Sequence, residues 1–163
     1  MQNTTNTIAS RWGSFVGYAS ILLLSLLMSG CLSHSVGLHF ATTQQLNPDA
    51  DWQSLPVQVK VIQLRSTTAF LSADFEDLWK SPKDALGEAF IKETDYMLLP
   101  NNERDITLMT DPHANYIGFV AVFRTHDNNT WRVLKAVPRF YFFYPRFAIH
   151  LSGHTISVDA KSF

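Results

Sequence analysis

The chain has a single cysteine, Cys31, among its 163 residues, so it cannot form an internal disulfide bond. Its most apolar segment, residues 19–28, has only ten uncharged residues, whereas a membrane-spanning helix needs about 20. Basic residues are not in excess, with 13 Lys and Arg against 14 Asp and Glu, so the charge supports neither binding to nucleic acid nor attraction to anionic lipid head groups. No nucleophile elbow, phosphate-binding glycine loop or metalloprotease helix occurs. These absences disfavour an enzyme, a nucleic-acid-binding protein and a protein that spans the membrane.

The uncharged segment 19–28 is preceded by Arg11 and leads through Ser29 and Gly30 into Cys31. An apolar core of ~10–14 residues is typical of a signal peptide. The segment resembles the lipobox of bacterial lipoproteins, in which the cysteine thiol receives a diacylglycerol, the chain is cut before it, and the new amine is acylated. We therefore predict a lipoprotein signal peptide over residues 1–30, cleavage between Gly30 and Cys31, and lipidation of Cys31.

The alternative for this segment is a buried or free cysteine that follows an ordinary secretory signal. We favour lipidation because a lone thiol in an exported chain has no disulfide partner, although Met28 stands where the lipobox prefers leucine. Each buried methylene contributes ~0.8 kcal/mol, so a triacylated cysteine anchors a protein stably. By analogy with the sorting rules of Gram-negative lipoproteins, Leu32 indicates the periplasmic face of the outer membrane. The covalent lipid is the only cofactor that we expect.

Removal of residues 1–30 leaves 133 residues, the size of one domain. We predict a lipidated tether over 31–36 and a mostly β domain over 37–163. Its 12 Phe, 5 Tyr and 4 Trp favour strands. Alternating or continuous apolar residues, separated by turn residues, predict a β-sandwich with about eight short strands. The predicted strands are 37–45, 57–64, 89–98, 106–109, 116–124, 131–136, 147–151 and 155–158.

Two of these segments have distinct patterns. In 57–64, valines alternate with Gln58 and Lys60, which predicts a strand with one solvated face at its start. Segment 116–123 is apolar on both faces and predicts a central strand, with helices on its outer side.

A helical insertion is predicted at about residues 66–88. Ser72 is the predicted N-cap of one short helix, and acidic residues in its first turn compensate the helix dipole. Ser81 is the predicted cap of a second helix with Pro82 at its first position, and Gly87 is expected to end it.

Six histidines raise the hypothesis of a metal or catalytic site. His150 and His154 flank one turn, but two histidines fall short of the three or four ligands that a metal site needs. The pair His126-Asp127 is the arrangement that would suit a periplasmic hydrolase. We predict no catalytic residue, no metal and no small-molecule substrate.

The aromatic run of residues 140–147, bracketed by Pro138 and Pro145, has two interpretations that the sequence leaves open. It is either a core strand or an exposed patch that contacts a partner or lipid. The second interpretation supports a rival function, a periplasmic lipoprotein that binds a small ligand or a glycan.

Taken in order, several segments resemble one known family. They are the lipobox cysteine, Leu46-Asn47-Pro48-Asp49, the strand Val57–Leu64, Phe70, Ala73-Asp74-Phe75 with Leu78, Leu86-Gly87, the turn at Pro100, Tyr116–Ala121 with Phe123-Arg124, and Trp131-Arg132. This set resembles the TssJ family, the outer-membrane lipoproteins of type VI secretion systems. The resemblance covers about residues 38–158 and weakens at the aromatic run.

The resemblance implies a transthyretin-like sandwich of two four-stranded sheets with a small helical addition. It also implies a function: the protein tethers the periplasmic C-terminal domain of the inner-membrane subunit TssM to the outer membrane, and TssL belongs to the same complex. In that family the loop between the first two strands is implicated in partner contact. The corresponding residues are Asn47, Pro48, Asp49, Asp51, Trp52 and Gln53. We favour Trp52 as an aromatic contact residue; the alternative is that its ring folds back on the sandwich.

Overall fold

A computed structural model of the chain describes residues 34–125, 130–138 and 145–161. The predicted signal peptide with Gly30 and Cys31, the pair His126-Asp127 and residues 140–144 of the aromatic run lie outside these ranges. The description below concerns the unit that begins at His34.

Eight strands form two four-stranded sheets. They are β1 (His34–Leu46), β2 (Val57–Leu64), β3 (Phe90–Leu98), β4 (Glu103–Thr110), β5 (Tyr116–Val122), β6 (Arg132–Ala136), β7 (Arg146–Gly153) and β8 (Thr155–Lys161). One sheet has the order β4-β1-β7-β8 and the other the order β3-β2-β5-β6. All neighbours are antiparallel except β1 and β7. The predicted two-sheet sandwich is confirmed.

The two sheets share one apolar core. The ring of Phe40 on β1 lies 6.5 Å from that of Phe119 on β5 and 5.9 Å from that of Tyr96 on β3, between ring centroids. Alternate residues of each strand therefore face the opposite sheet. Burial of the inward-facing side chains is the main stabilising contribution.

Strand β5 lies in the middle of its sheet, between β2 and β6, as its apolar sequence predicted. Phe119 stands opposite Val61 on the inner face, and Gly118 stands opposite Ile62 on the outer face. Both faces of β5 are buried.

The outer face is covered by α1 (Thr68–Ser72), α2 (Phe75–Lys80), α3 (Pro82–Leu86) and a 3-10 turn (Gly87–Ala89). The ring of Phe70 on α1 lies so close to Gly118 that a Cβ atom there would be 2.5 Å from the Phe70 Cε2 atom. Gly87 ends α3 with a φ of 51°, a conformation that glycine adopts at little cost. The predicted helical insertion and its position on the outer side of β5 are therefore confirmed.

Three details of the prediction are wrong. β1 begins at His34 rather than at residue 37, because Val36 already pairs with Leu108 of β4 and is fully buried. Residues 34–36 of the predicted tether 31–36 are thus part of the sandwich. Ser72 ends α1 instead of capping the next helix, which begins after Asp74.

The third correction concerns Lys60, which was predicted to be solvated but is buried. Its Nζ atom lies 3.2 Å from Glu93 Oε2 and 3.3 Å from Asp95 Oδ1, both on β3. The same atom lies 5.4 Å from the centroid of the Trp79 ring on α2. Because the helical insertion covers this face, Lys60 is enclosed and neutralised by the two carboxylates.

The ends of the sandwich differ in the segments they carry. β1 begins at one end, which we call the amino-terminal pole, and finishes at the other, the loop pole. The backbone N–H of Leu55 donates to the carbonyl oxygen of Leu46 at 3.1 Å, so β2 begins beside the end of β1. From the strand pairing, β1, β3, β5 and β7 end at the loop pole, and β2, β4, β6 and β8 begin there.

Candidate functional site

The loop between β1 and β2 contains the residues that the resemblance assigns to partner contact. Its first residue, Asn47, is buried, with a φ of 46°. The Asn47 side chain accepts a hydrogen bond from the backbone N–H of Arg124 at 2.8 Å and donates one to the carbonyl oxygen of Pro56 at 3.3 Å. Its backbone N–H donates to Gly153 at 2.8 Å. Asn47 therefore fixes the base of the loop.

Asp49 organises the middle of the loop. Its Oδ1 atom accepts hydrogen bonds from the backbone N–H groups of Asp51 at 2.9 Å and Gln53 at 2.8 Å. Its own backbone N–H donates to the carbonyl oxygen of Gln53 at 3.0 Å. This is the turn-forming role that aspartate side chains often have. Pro48 and Asp49 are half-buried, and Asp51 and Gln53 are exposed.

Trp52 lies at the tip of this loop, and 79% of its surface is exposed to solvent. Its φ is 61°, a left-handed conformation that costs a residue with a Cβ atom roughly 1–2 kcal/mol. The Trp52 N–H donates to the carbonyl oxygen of Asp49 at 3.1 Å, so hydrogen bonds hold the residue in this conformation. The indole ring projects into solvent. The alternative interpretation, in which the ring folds back on the sandwich, is therefore wrong.

Two further apolar side chains, which the sequence analysis did not single out, are exposed at the same pole. Met97 and Leu99 are each 55% exposed. Strand β3 ends here because Leu98 pairs with Val57, the first residue of β2. The Thr42 hydroxyl donates to the carbonyl oxygen of Leu99 at 2.6 Å, which ties this turn to β1. The sequence signal for this exposure is the apolar run Met97-Leu98-Leu99. Successive residues of a strand point to opposite faces, so only Leu98 of the three is buried.

We call Trp52, Met97 and Leu99 the loop-pole surface. Exposed tryptophan and methionine are enriched at protein interfaces and depleted elsewhere on protein surfaces. An aromatic side chain on a hydrogen-bonded loop loses little conformational entropy on binding. The chemistry that this surface offers is apolar contact with another macromolecule.

The histidines form isolated pairs and no cluster within the ranges that the structure describes. His39 lies 3.0 Å from Asp105 and His113 lies 3.0 Å from Asp111, whereas His150 is 3.9 Å from Asp159. The ring of His154, which flanks the same turn as His150, packs edge-on against that of Phe123, with 6.1 Å between ring centroids. In the described part of the chain, no three metal-ligating side chains come together.

Among the residues that the structure describes, three side chains have shifted pKa values, and all three lie outside the loop. The pKa of Asp111 is lowered, chiefly by the hydrogen bond from the backbone N–H of His113. Burial lowers the pKa of Arg132 and raises that of Tyr96. The Arg132 guanidinium donates three hydrogen bonds to carbonyl oxygens at the end of α1 and just after it. These hydrogen bonds hold the guanidinium in its partly buried position.

No helix in the described ranges is both long and apolar enough to cross a bilayer. The predicted cleavage and lipidation residues, Gly30 and Cys31, lie outside those ranges.

The sandwich and its exposed apolar end are typical of a β-sandwich interaction domain. Comparison with family models identifies the class further: residues 34–158 match the model described as type VI secretion lipoprotein, VasD, EvfM, TssJ. The match covers most of the chain, and the chain therefore belongs to the type VI secretion lipoprotein family.

Solved structures agree with this assignment. The lipoprotein TssJ1 of Pseudomonas aeruginosa is 29% identical with a TM-score of 0.73, over 80% of this chain and 98% of that chain. A structure described as a type VI membrane complex contains a chain that is 26% identical, with a TM-score of 0.69 over 77% and 98% of the two chains. A structure described as the TssM C-terminal domain from EAEC matches at 25% identity and a TM-score of 0.65, over 76% and 96%. No curated protein matches the chain.

Proposed function

We propose that this lipoprotein is anchored in the outer membrane by acyl chains on Cys31, faces the periplasm, and tethers the periplasmic C-terminal domain of TssM to that membrane, with TssL in the same complex. Membership of the type VI secretion lipoprotein family supports the proposal. So does the similarity to chains in structures described as a type VI membrane complex and as a TssM C-terminal domain. The protein acts as an adaptor and catalyses no reaction.

The observation that carries the proposal is the course of β1. This strand begins at His34, three residues after Cys31 in the sequence, and ends at Leu46, directly before the loop that carries Trp52. At about 3.3 Å per residue, a strand of 13 residues spans roughly 40 Å. The start of β1, which follows the proposed attachment point, and the loop that carries Trp52 therefore lie at opposite ends of one strand.

This geometry suits an adaptor that is attached at two points. Only Leu32 and Ser33 separate Cys31 from His34, and three residue steps extend at most about 10 Å, so the start of β1 cannot lie far from the acyl chains. The loop pole then faces away from the membrane, toward the periplasm, where a domain from the inner membrane can reach it. β1 is hydrogen-bonded on both sides, to β4 and β7, so it is an interior strand of its sheet with no unpaired edge.

Two measurements on the full chain test the two attachment points separately. Growth with labelled palmitate is expected to label the wild-type chain and leave Cys31→Ser unlabelled. Calorimetry with the TssM periplasmic domain is expected to show saturable binding by the purified protein. An unlabelled wild-type chain would overturn the anchor, and absence of binding to the TssM domain would overturn the tethering function.

A further inference from the structure

We propose that one extended segment of the TssM periplasmic domain pairs with the free edge of β3 and becomes a fifth strand of its sheet. The free edge is the side of residues 93–98 that points away from β2. The inference rests on the proposed function and deepens it, because it names the backbone that the domain binds. β3 pairs with β2, and within the described ranges no other strand pairs with it. Such an edge presents backbone N–H and carbonyl groups to an extended chain.

The other three edge strands of the sandwich are short, charged or partly engaged. β6 has only five residues. β4 begins with three consecutive exposed charged residues, Glu103, Arg104 and Asp105. The backbone N–H of Ile156 on β8 donates to the carbonyl oxygen of Thr130 at 2.9 Å, so part of that edge is already hydrogen-bonded. Short strands, charged side chains and covered edges are the features that prevent pairing with another chain.

The half of β3 that leads to the loop pole lacks these features. β3 has nine residues, and its regular pairing with β2 extends from Lys92 to Leu98. Lys92 lies near the start of the strand, whereas residues 93–98 contain neither lysine nor proline, and their pairing has no irregularity. Six residues are a usual strand length, so this half of β3 can pair with a complete strand.

The two acidic residues in this half of β3 face β2 instead of the free edge. Glu93 Oε2 lies 3.2 Å and Asp95 Oδ1 lies 3.3 Å from the Nζ atom of Lys60, which stands opposite Asp95 on β2. Two carboxylates share one ammonium group, so this part of the outer face has an excess of one negative formal charge. Opposite charges on neighbouring strands stabilise their pairing. The free edge therefore favours an incoming strand with a lysine or arginine at this level.

The free edge is continuous with the loop-pole surface. Side chains alternate along a strand, so Met97 lies on the same outer face as Glu93 and Asp95. Met97 and Leu99 belong to the loop-pole surface, and each is 55% exposed. A domain that contacts the loop-pole surface can therefore also reach the backbone of β3. We expect its strand to carry an apolar residue opposite Met97 and a basic residue opposite the acids.

A second copy of this chain fits the free edge less well. If the full length of β3 pairs with itself about a two-fold axis, the register is centred on Thr94 and places Glu93 of each copy opposite Asp95 of the other. Like charges in directly opposite positions destabilise a pair of strands. The charge pattern of β3 therefore favours a strand from a different protein over a second copy.

Residue-resolved hydrogen–deuterium exchange of the full chain, with and without the TssM periplasmic domain, tests the proposal. Along an edge strand, alternate amide N–H groups point to the neighbouring strand and the others point to solvent. An added strand engages the second set. At a domain concentration of about ten times Kd, roughly a tenth of the chain is free, so alternate amides of residues 93–98 should exchange about tenfold more slowly. Unchanged exchange of these amides in the complex would overturn the proposal.

Thr94→Lys is expected to abolish the slower exchange. Thr94 alternates with Glu93 and Asp95, so the new side chain points to the inner face, and an inward-pointing charge is a feature by which natural edge strands avoid pairing. Thr107→Lys adds the same side chain to β4, an edge strand of the other sheet, and should leave the slower exchange unchanged. Equal loss in both variants would contradict pairing at β3.

Asp95→Asn is expected to weaken binding of the domain about two- to fivefold, because it removes one carboxylate while Glu93 still neutralises Lys60. Asp159→Asn is the matched control, since Asp159 is an exposed acid on the edge strand β8, and it should bind as the wild type does. An equal change in both variants would count against the β3 edge. If Thr94→Lys fails to fold, this pair and the wild-type exchange pattern decide.

Calorimetry on the same samples separates failure of this inference from failure of the proposed function. Saturable binding of the domain without slower exchange of alternate β3 amides would refute the added strand and leave the tethering function intact. Absence of binding would refute both. Slower exchange that needs no TssM domain and increases with the concentration of the chain would assign the edge to a second copy and overturn the proposal.

Discussion

The backbone N–H of Trp52 donates a hydrogen bond to the carbonyl oxygen of Asp49 at 3.1 Å, and the Asp49 carboxylate in turn accepts hydrogen bonds from the residues on either side of Trp52. An exposed indole is therefore presented by a loop that is ordered before any partner arrives. Ordering a loop on binding costs affinity, so a loop already fixed by its own hydrogen bonds retains more of the contact energy.

Trp52→Ala is expected to weaken binding to the TssM periplasmic domain by at least about tenfold, because truncated aromatic hot spots cost more than roughly 1–2 kcal/mol. Since the side chain is 79% exposed, the free energy of unfolding should change by less than about 0.5 kcal/mol. Calorimetric titration and thermal melting measure the two effects. Leu71→Ala, which truncates an exposed side chain on α1, is the matched control and should change neither. A large fall in Tm for Trp52→Ala would place the ring in the core and contradict the contact hypothesis.

Met97→Ser and Leu99→Ser are each expected to lower the affinity for the same domain several-fold, because both side chains belong to the loop-pole surface. Met109→Ser provides a close control. Met109 is 58% exposed, similar to the 55% of Met97, but it lies near the start of β1 at the amino-terminal pole. Equal loss of affinity in Met97→Ser and Met109→Ser would show that the effect does not depend on the pole.

Gly118→Ala is expected to destabilise the sandwich by about 1–3 kcal/mol, the usual cost of overpacking. A Cβ atom at this position would be 2.5 Å from Cε2 and 2.7 Å from Cζ of Phe70. Urea unfolding of Gly118→Ala, Phe70→Leu and the double variant measures the coupling. The double variant should be more stable than the sum of the single effects predicts, because the smaller side chain frees the space. Strict additivity would show that the ring and the glycine do not contact each other.

The hydrogen bonds from His113 predict a pH dependence of stability through Asp111. The pKa of its carboxyl group is lowered in the folded chain, chiefly by the backbone N–H of His113. Its ionised form therefore stabilises the fold above the ordinary pKa of 3.8, and this stabilisation is lost as the pH falls through the lower folded-state pKa.

Thermal melting of Asp111→Asn and the wild type, at pH 6 and at successively lower pH, measures this effect. The difference in Tm between them should shrink below pH 3.8. His113→Ala keeps the backbone donor and should retain most of the pH dependence. A constant difference at all pH values would contradict the assignment.

The sequence was most informative where a single strand or turn determines the structure. β2 was predicted at its observed bounds, because alternating valines followed by Ile62 and Leu64 indicate a strand whose second half is covered on both faces. Gly87 was predicted to end α3, and it does so with a positive φ. These features depend on neighbouring residues alone.

The features that were missed depend on residues distant in the sequence. α1 has five residues and no side-chain cap. It is held from outside, since the Arg132 guanidinium donates to the carbonyl oxygens of Phe70 at 2.8 Å, Leu71 at 2.9 Å and Ala73 at 2.7 Å. The burial of Lys60 likewise requires Trp79 from the helical insertion. Neither contact can be predicted from the residues next to it in the sequence.

The candidate site was predicted only in part for the same reason. The family resemblance located the loop, and the prediction that the Trp52 ring does not fold back on the sandwich agrees with its exposure; its contact with a partner stays a prediction. Asn47 was included among the contacts, but its side chain is buried and fixes the loop to Arg124 and Pro56. Met97 and Leu99 were missed because their position beside that loop follows from the pairing of β2 with β3.

Recruitment of the TssM periplasmic domain to the outer-membrane fraction tests the two-point attachment most directly. In cells that express the wild-type chain, we expect the domain to sediment with outer membranes. With Cys31→Ser it should remain bound to the chain but move to the periplasmic fraction, and with Trp52→Ala the chain should stay on the membrane while the domain is released. Retention of both chain and domain on the outer membrane in the Cys31→Ser strain would contradict the account.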